Sequence, residues 1–309
     1  MRIFVSGSMA YDRIMDFPGR FSDHIMPDKI HSLNVSFMVN GLAERPGGTA
    51  GNIAYALSLL GERPTILATI GHDRHRYFEW LESSGISREA IRIIEDQPTA
   101  SAYITTDLGD NQITAFNPGA MTQPSGYSLM ECDPADTIAI IAPGNLEDMR
   151  VYSQACRTRG IPYIFDPGQS LPAWVPDGLR ACIQGARLLI ANDYEMSLIT
   201  RMTGLERSDL LRMAEAIIVT RGGEGSTVHT AEGEVVIPVA RARRVADPTG
   251  AGDAYRGGLI KGMVDGKGLR EAALMGSVCA SFAVEVQGTQ EYRFTTEEFS
   301  ERLRTIAPR

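Results

Sequence analysis

The sequence predicts an α/β protein in three layers, a mainly parallel central sheet with helices on both faces, carrying a small β-rich lid. Short apolar runs of strand length alternate with stretches whose apolar residues recur at helical spacing over most of the 309 residues. Glycine and polar residues collect just after those runs, at the ends where open parallel sheets bind ligands. Two segments, about 10–45 and 99–118, break the alternation and read as strands without helices between them. No repeat, low-complexity tract or linker divides the chain, so 1–309 reads as one domain with the lid inserted in it.

Ile3–Ser6 reads as a buried strand stopped by Gly7. In Ala50–Leu60 the residues Ile53, Ala54, Leu57 and Leu60 recur as on a helix face, and Gly61 ends the run. Thr65–Ile70 is a strand followed by a helix over Phe78–Ser84, and Ile138–Ala142 a strand followed by a helix over Leu146–Arg159. Tyr163–Phe165 runs into Asp166-Pro167-Gly168, Leu188–Ala191 into Asn192, and Ala216–Thr220 into Arg221-Gly222-Gly223. Gly250–Val264 and Leu269–Val286 are helical. In the lid, Ser32–Val39 is strand-like among Pro18, Asp23, Pro27 and Asp28, and Ala100–Thr106 with Asn111–Phe116 forms a hairpin turning at Asp107–Asp110.

A net charge of -8 and no basic stripe exclude a dedicated nucleic-acid binder. The densest basic cluster, Arg241, Arg243 and Arg244, reads as a solvated strand edge. No stretch approaches the ~20 apolar residues that span a bilayer, and the N-terminal apolar run is too short for a signal peptide. The cysteines Cys132, Cys156, Cys182 and Cys279 have neither metal nor redox spacing and read as reduced, so a cytoplasmic location is expected. His72 and His75 read as a solvated loop rather than a metal site.

The chemistry concentrates in Asp247-Pro248-Thr249-Gly250-Ala251-Gly252-Asp253-Ala254-Tyr255-Arg256-Gly257-Gly258. Small residues at a helix start leave the amides of Gly250, Ala251 and Gly252 open to an anion. Asp253 falls in the first turn, where the helix dipole favours its ionised form at neutral pH. A carboxylate beside an anion hole can take a proton from an alcohol while the hole holds a phosphoryl group. Spacing alone leaves the alternative of a helix-stabilising acid at an ordinary glycine-rich start. The segment lacks the last glycine or alanine of the dinucleotide fingerprint, and Gly266-Lys267-Gly268 is not a Walker A loop.

This segment resembles the second signature of the ribokinase, or PfkB, family of carbohydrate kinases, D-T-x-G-A-G-D-x-F-x-G-G, with Pro248-Thr249 where the family often has Thr and a variable residue and Tyr255 at the aromatic position. Gly47-Gly48-Thr49-Ala50-Gly51-Asn52-Ile53-Ala54 resembles the first signature, G-G-K-G-x-N-x-A, with Thr49 in place of lysine and the following glycine displaced to Gly51. The resemblance covers essentially the whole chain and implies the ribokinase-like fold and ATP-dependent phosphorylation of an alcohol, with Asp253 as base. It assigns Asp12, Gly47, Gly48 and Asn52 to sugar hydroxyls, though Asp12 alone also reads as a turn aspartate. Asn192-Asp193-Tyr194-Glu195 resembles the N-x-x-E motif, implying Asn192 near the phosphates and Glu195 on Mg2+ through water. Thr220 and Gly222 resemble an element beside the ATP phosphates, also contacted by Gly252. Asp166 is implied at the metal or phosphates, with a turn acid as the alternative. Potassium is implied near Asp247 and Thr249, closed by the loop at Gly288.

The segments Ser6–Asp12, Pro18–Phe21 and Ile104–Phe116 resemble bacterial adenosine or broad nucleoside kinases. Phe17, Phe21, Met26, Phe37, Met38 and Phe116 suit stacking on a nucleobase, or alternatively a small core of the lid or a contact between two lids of a homodimer. Gln112 is a candidate base or ribose contact. The expected reaction is transfer of the ATP γ-phosphoryl group to the 5′-hydroxyl of a nucleoside, adenosine first. The alternatives are a kinase of ribose or fructose and a non-catalytic nucleoside or nucleotide sensor.

Overall fold

The computed structural model describes residues 1–25, 31, 34–109 and 111–307. Met26, Pro27, Asp28, Ser32 and Asp110, named above, lie outside them. In chain order the strands are β1 (Arg2–Ser6), β2 (Ala10–Asp16), β3 (Asn40–Gly47), β4 (Thr65–Gly71), β5 (Ile91–Ile94), β6 (Ala100–Thr106), β7 (Gln112–Asn117), β8 (Thr137–Ile141), β9 (Tyr163–Phe165), β10 (Leu188–Asn192), β11 (Ala216–Thr220), β12 (Ser226–Thr230) and β13 (Gly233–Ile237). The helices are α1 (Thr49–Leu59), α2 (His75–Ser83), α3 (Leu146–Arg159), α4 (Pro176–Ile183), α5 (Asp193–Thr203), α6 (Arg207–Met213), α7 (Ala251–Val264), α8 (Leu269–Ala283) and α9 (Thr296–Ile306).

The main sheet runs β13-β12-β11-β10-β9-β8-β1-β4-β5. Neighbours from β11 to β5 pair in parallel, and β12 and β13 add an antiparallel hairpin at one edge. Strand side chains alternate between faces, and the core divides accordingly. Ile3 and Val5 of β1 with Ile138 and Ile140 of β8 pack toward α1, α7 and α8. Phe4, Ala139 and Ile141 pack on the opposite face with Met149 and Cys156 of α3 and Leu179 of α4. Burial on both faces explains why Thr137–Ile141 is a continuous apolar run rather than an alternating one. All four cysteines are buried and unpaired. Among the described residues no helix is long and apolar enough to cross a membrane.

The second sheet has the order β3-β2-β6-β7. Its parallel pair β2–β6 places Asp12 opposite Ala102, and the antiparallel neighbours place Arg45 opposite Asp12 and Phe116 opposite Ala102. One cross-strand row therefore carries Arg45, Asp12 and Phe116 on the same face. Phe17 stacks on Phe21 and Phe37 packs tilted against both, with ring centroids 4.8–5.6 Å apart. Of the three readings of these rings, a small core of the lid matches this mutual packing.

Two expectations are corrected. Residues 34–39 form no strand, and the strand at the sheet edge is β3, which carries Gly41 and Pro46. Arg241, Arg243 and Arg244 sit in a loop, where the Arg243 amide donates to Glu285 Oε1 at 2.7 Å and Arg244 Nε donates to the Glu285 carbonyl at 2.8 Å.

Candidate active site

The carboxyl ends of β8, β9, β10 and β11 open on one side of the sheet, and the start of α7 meets them there. Gly250 caps α7 with φ +77°, a conformation that favours glycine, and a Cβ there would come within 2.9 Å of the Thr289 side chain. Further along, Gly257 lies against Ala56 of α1 and Gly258 against the Met275 carbonyl of α8, so this glycine pair serves helix packing. Gly250 and Gly252 line a cavity of about 210 Å³. Their amides have no backbone partner among the described residues, whereas the Ala251 amide donates to the Pro248 carbonyl at 3.2 Å. Of the three amides expected to face an anion, Ala251 is thus already engaged, because the turn before the helix closes on it.

Asp253 lines the same cavity. Its Oδ2 accepts from Asn52 Nδ2 at 2.8 Å, and Asn52 Oδ1 in turn accepts from Gln290 Nε2 at 2.7 Å. Gln290 thereby fixes which way the Asn52 amide points. Burial pushes the Asp253 carboxyl up to about 6, against the opposing pull of the Arg256 charge and the Asn52 hydrogen bond. The helix dipole led to the expectation of an ionised carboxylate at neutral pH. Desolvation is the larger influence, and it leaves the group mainly ionised at pH 7 but titrating just below it. Asn52, expected on the sugar, is buried with both ends of its amide committed to Asp253 and Gln290.

Asp12 reaches over Gly47, where a Cβ would collide with the Asp12 carboxylate. Gly48 caps α1 at φ +88°, with the Ser8 carbonyl and Ala10 amide against its Cα. Burial pushes Asp12 up to about 6; Asp247 raises it further and Arg45 opposes. A second cavity of about 230 Å³ adjoins the first through Pro143 and Gln169 and is lined by Phe116, Met121 and Ser8. Gln112 lies four residues from Phe116 along β7, about 13 Å at ~3.3 Å per residue, and bonds Thr106 Oγ1 at 3.3 Å. The structure does not bring Gln112 to the cavity that Phe116 lines.

At the other end, Asn192 and Glu195 form a capping box on α5: Asn192 Oδ1 accepts from the Glu195 amide at 2.7 Å and Glu195 Oε2 from the Asn192 amide at 2.8 Å. Part of this motif is helix capping, and both residues also line the cavity with Thr220. Gly222 opens a short turn after β11 at φ +52° and does not line it. Asp166 is neither a free metal carboxylate nor a plain turn acid. It is buried, and both its oxygens accept from Arg256, at Nε and, at 2.8 Å, at Nη2. Asp247 accepts from the Thr249 amide at 2.9 Å and the Gly288 amide at 3.0 Å. Burial would raise its pKa, but these hydrogen bonds and Arg45 hold it below the ordinary value. Among these groups the sequence reading missed Arg256, Gln290 and Gln169. Arg256 sits at a variable position of the signature, and nothing in its spacing marked the other two.

Residues 8–296 match the family model for pfkB family carbohydrate kinases. The nucleoside kinase of Methanocaldococcus jannaschii is 32% identical over 280 residues, 89% of this chain and 91% of that protein. Its crystal structure superposes with a TM-score of 0.87, covering 99% of each chain. The structure of Burkholderia thailandensis nucleoside kinase in complex with inosine is 40% identical, with a TM-score of 0.86 over 98% of this chain and 97% of that one. The same kinase has also been solved in complex with ADP-inosine.

Proposed function

The chain belongs to the pfkB family of carbohydrate kinases, and on that footing we propose that it transfers the γ-phosphoryl group of ATP to the 5′-hydroxyl of a nucleoside, with adenosine ranked first. The carrying observation is Asp253, held by Asn52 at 2.8 Å beside the unpartnered amides of Gly250 and Gly252, with a second, more apolar cavity alongside. The inosine complex of the Burkholderia relative supports a nucleoside over a free sugar and makes inosine the second acceptor to test.

In this reading Asp12 accepts hydrogen bonds from the ribose diol, Gly47 lets the ribose approach, and Phe116 lies against the base. Asp253 takes the 5′-hydroxyl proton as the oxygen forms a bond to the γ-phosphorus. The bond to the β-phosphate oxygen breaks and ADP leaves. The amides of Gly250 and Gly252 hold the charge on the phosphoryl group in transit. A carboxylate titrating near 6 suits a base working at neutral pH. The unpaired oxygen of Glu195 is the protein group suited to Mg2+, which keeps most of its waters and neutralises phosphate charge. Asp247, Thr249 and Gly288 form the loop where a potassium ion would sit. The second sheet acts as a lid that excludes water. The unpaired edge of β7, exposed along all six residues, is where a second copy of the chain would join, and sedimentation tests it. ATP use and four buried thiols fit a cytoplasmic setting.

A panel of adenosine, inosine, cytidine, ribose and fructose with MgATP separates the readings. Turnover of ribose or fructose without any nucleoside favours the sugar kinase. Tight nucleoside binding without ADP favours the sensor.

A further inference from the structure

Among the described residues, Arg256 is the one basic side chain lining the cavity at the start of α7. It lies three residues after Asp253, on the same helix face, and its side chain is 8% exposed. Asp166 grips it with a fork, Nε to Oδ2 and Nη2 to Oδ1, while Nη1 donates to the Gly252 carbonyl at 2.9 Å. A guanidinium has five N–H groups, so two remain for a ligand. The surrounding acids are Asp166, Glu195 and Asp253. Thr49, which stands where the resembled signature has lysine, also lines the cavity, but its hydroxyl is engaged, donating to the Pro143 carbonyl at 2.6 Å.

A buried ion pair contributes little to stability compared with apolar residues of the same shape. Joining the end of β9 to α7 therefore does not by itself account for this pair. A cavity that receives phosphate groups while three carboxylates line it needs positive charge, and beside the Mg2+ proposed at Glu195 the guanidinium of Arg256 is, among the described residues, the basic group that lines it.

We propose that Arg256 is a catalytic residue whose guanidinium, aimed by Asp166, donates to the phosphoryl group in transit alongside the amides of Gly250 and Gly252. Asp166 is then a positioning residue. The proposal rests on the phosphoryl-transfer reading of Asp253 and on no particular acceptor.

The test uses the full chain as wild type, Asp166→Asn/Arg256→Gln and Arg256→Lys. The double variant removes both members of the pair together, so neither Asp166 nor Arg256 is left buried without the other. Turnover and KM are measured with MgATP and adenosine, thermal midpoints are recorded, and calorimetry compares Mg-ADP with Mg-ADP–aluminium fluoride in the absence of nucleoside. The double variant is expected to keep a thermal midpoint near wild type and an adenosine KM within about threefold. Its kcat should fall about 100- to 1000-fold, as when one donor to developing charge is lost. The preference for ADP–aluminium fluoride over ADP should shrink with it. Arg256→Lys, with a charge but no fork, should be intermediate in kcat. A double variant within threefold of wild-type kcat, or one that keeps the full preference for ADP–aluminium fluoride, overturns the proposal. If the double variant fails to fold, wild-type kcat in Arg256→Lys overturns it and a loss of tenfold or more at unchanged KM supports it. A wild type that phosphorylates no nucleoside refutes the acceptor reading alone, because the calorimetric comparison contains no acceptor.

Discussion

Replacing Asp253 by asparagine removes the proton acceptor and little else. The side chain keeps its shape, and its remaining oxygen can still accept from Asn52 Nδ2, now 2.8 Å away. Loss of a positioned general base costs about 10²- to 10⁴-fold, so kcat should fall by that factor while the adenosine KM stays within a few-fold. Stability should move the other way. The carboxyl is pushed from 3.8 to about 6, chiefly by burial, a displacement worth about 3 kcal/mol at ~1.4 kcal/mol per pH unit. The folded state holds the proton more tightly than the unfolded state, so the ionised carboxylate opposes folding fully above about pH 6 and not at all below about 4. The shift already nets the Asp253–Arg256 attraction against burial, so about 3 kcal/mol is the ceiling. The assay is steady-state kinetics with thermal melts at pH 8 on the same preparation. A kcat within tenfold of wild type, or a loss accompanied by unfolding, would refute the reasoning.

The acid limb of kcat/KM should bend near pH 6, losing about tenfold per unit below it, measured with a coupled ADP assay corrected for the coupling enzymes. Gln290→Leu frees the Asn52 amide to turn away from Asp253, so that limb should move to higher pH with the thermal midpoint little changed, read from the same profile. Asp12→Asn should raise the adenosine KM by a hundredfold or more. It should also raise the melting midpoint at pH 8 but not near pH 4, since Asp12 too is held near 6 by burial. Gly48→Ala should destabilise by about 2 kcal/mol or more in urea unfolding, because φ +88° strains any other residue and the added Cβ would lie 2.6 Å from the Ser8 carbonyl.

The central sheet was legible because its strands are buried on both faces and leave uninterrupted apolar runs. The predicted Leu146–Arg159, Tyr163–Phe165 and Ala216–Thr220 coincide with α3, β9 and β11. What escaped were elements made by partners rather than by pattern. β3 contains Gly41 and Pro46 and is a strand because β2 pairs with it. In the hairpin β12–β13 the inner strand is buried, and the exposed outer strand likewise has no period-2 apolar pattern. At the site, the signatures pointed to Asp253, Gly250 and Gly252. They could not reveal that Asp166 and Arg256, 90 residues apart, are clamped together, or that Gln290 orients Asn52. Those contacts join separate elements and leave no local spacing. Desolvation of Asp253 escaped for the same reason, since burial belongs to the assembled fold.

The most direct measurement incubates the protein with MgATP and adenosine and follows ADP and the product by chromatography and mass spectrometry. The account predicts AMP and ADP in equal amounts, with no product from free ribose at comparable concentration. ADP formation with ribose or fructose and with no nucleoside in the panel, or nucleoside binding with no ADP at all, would contradict it.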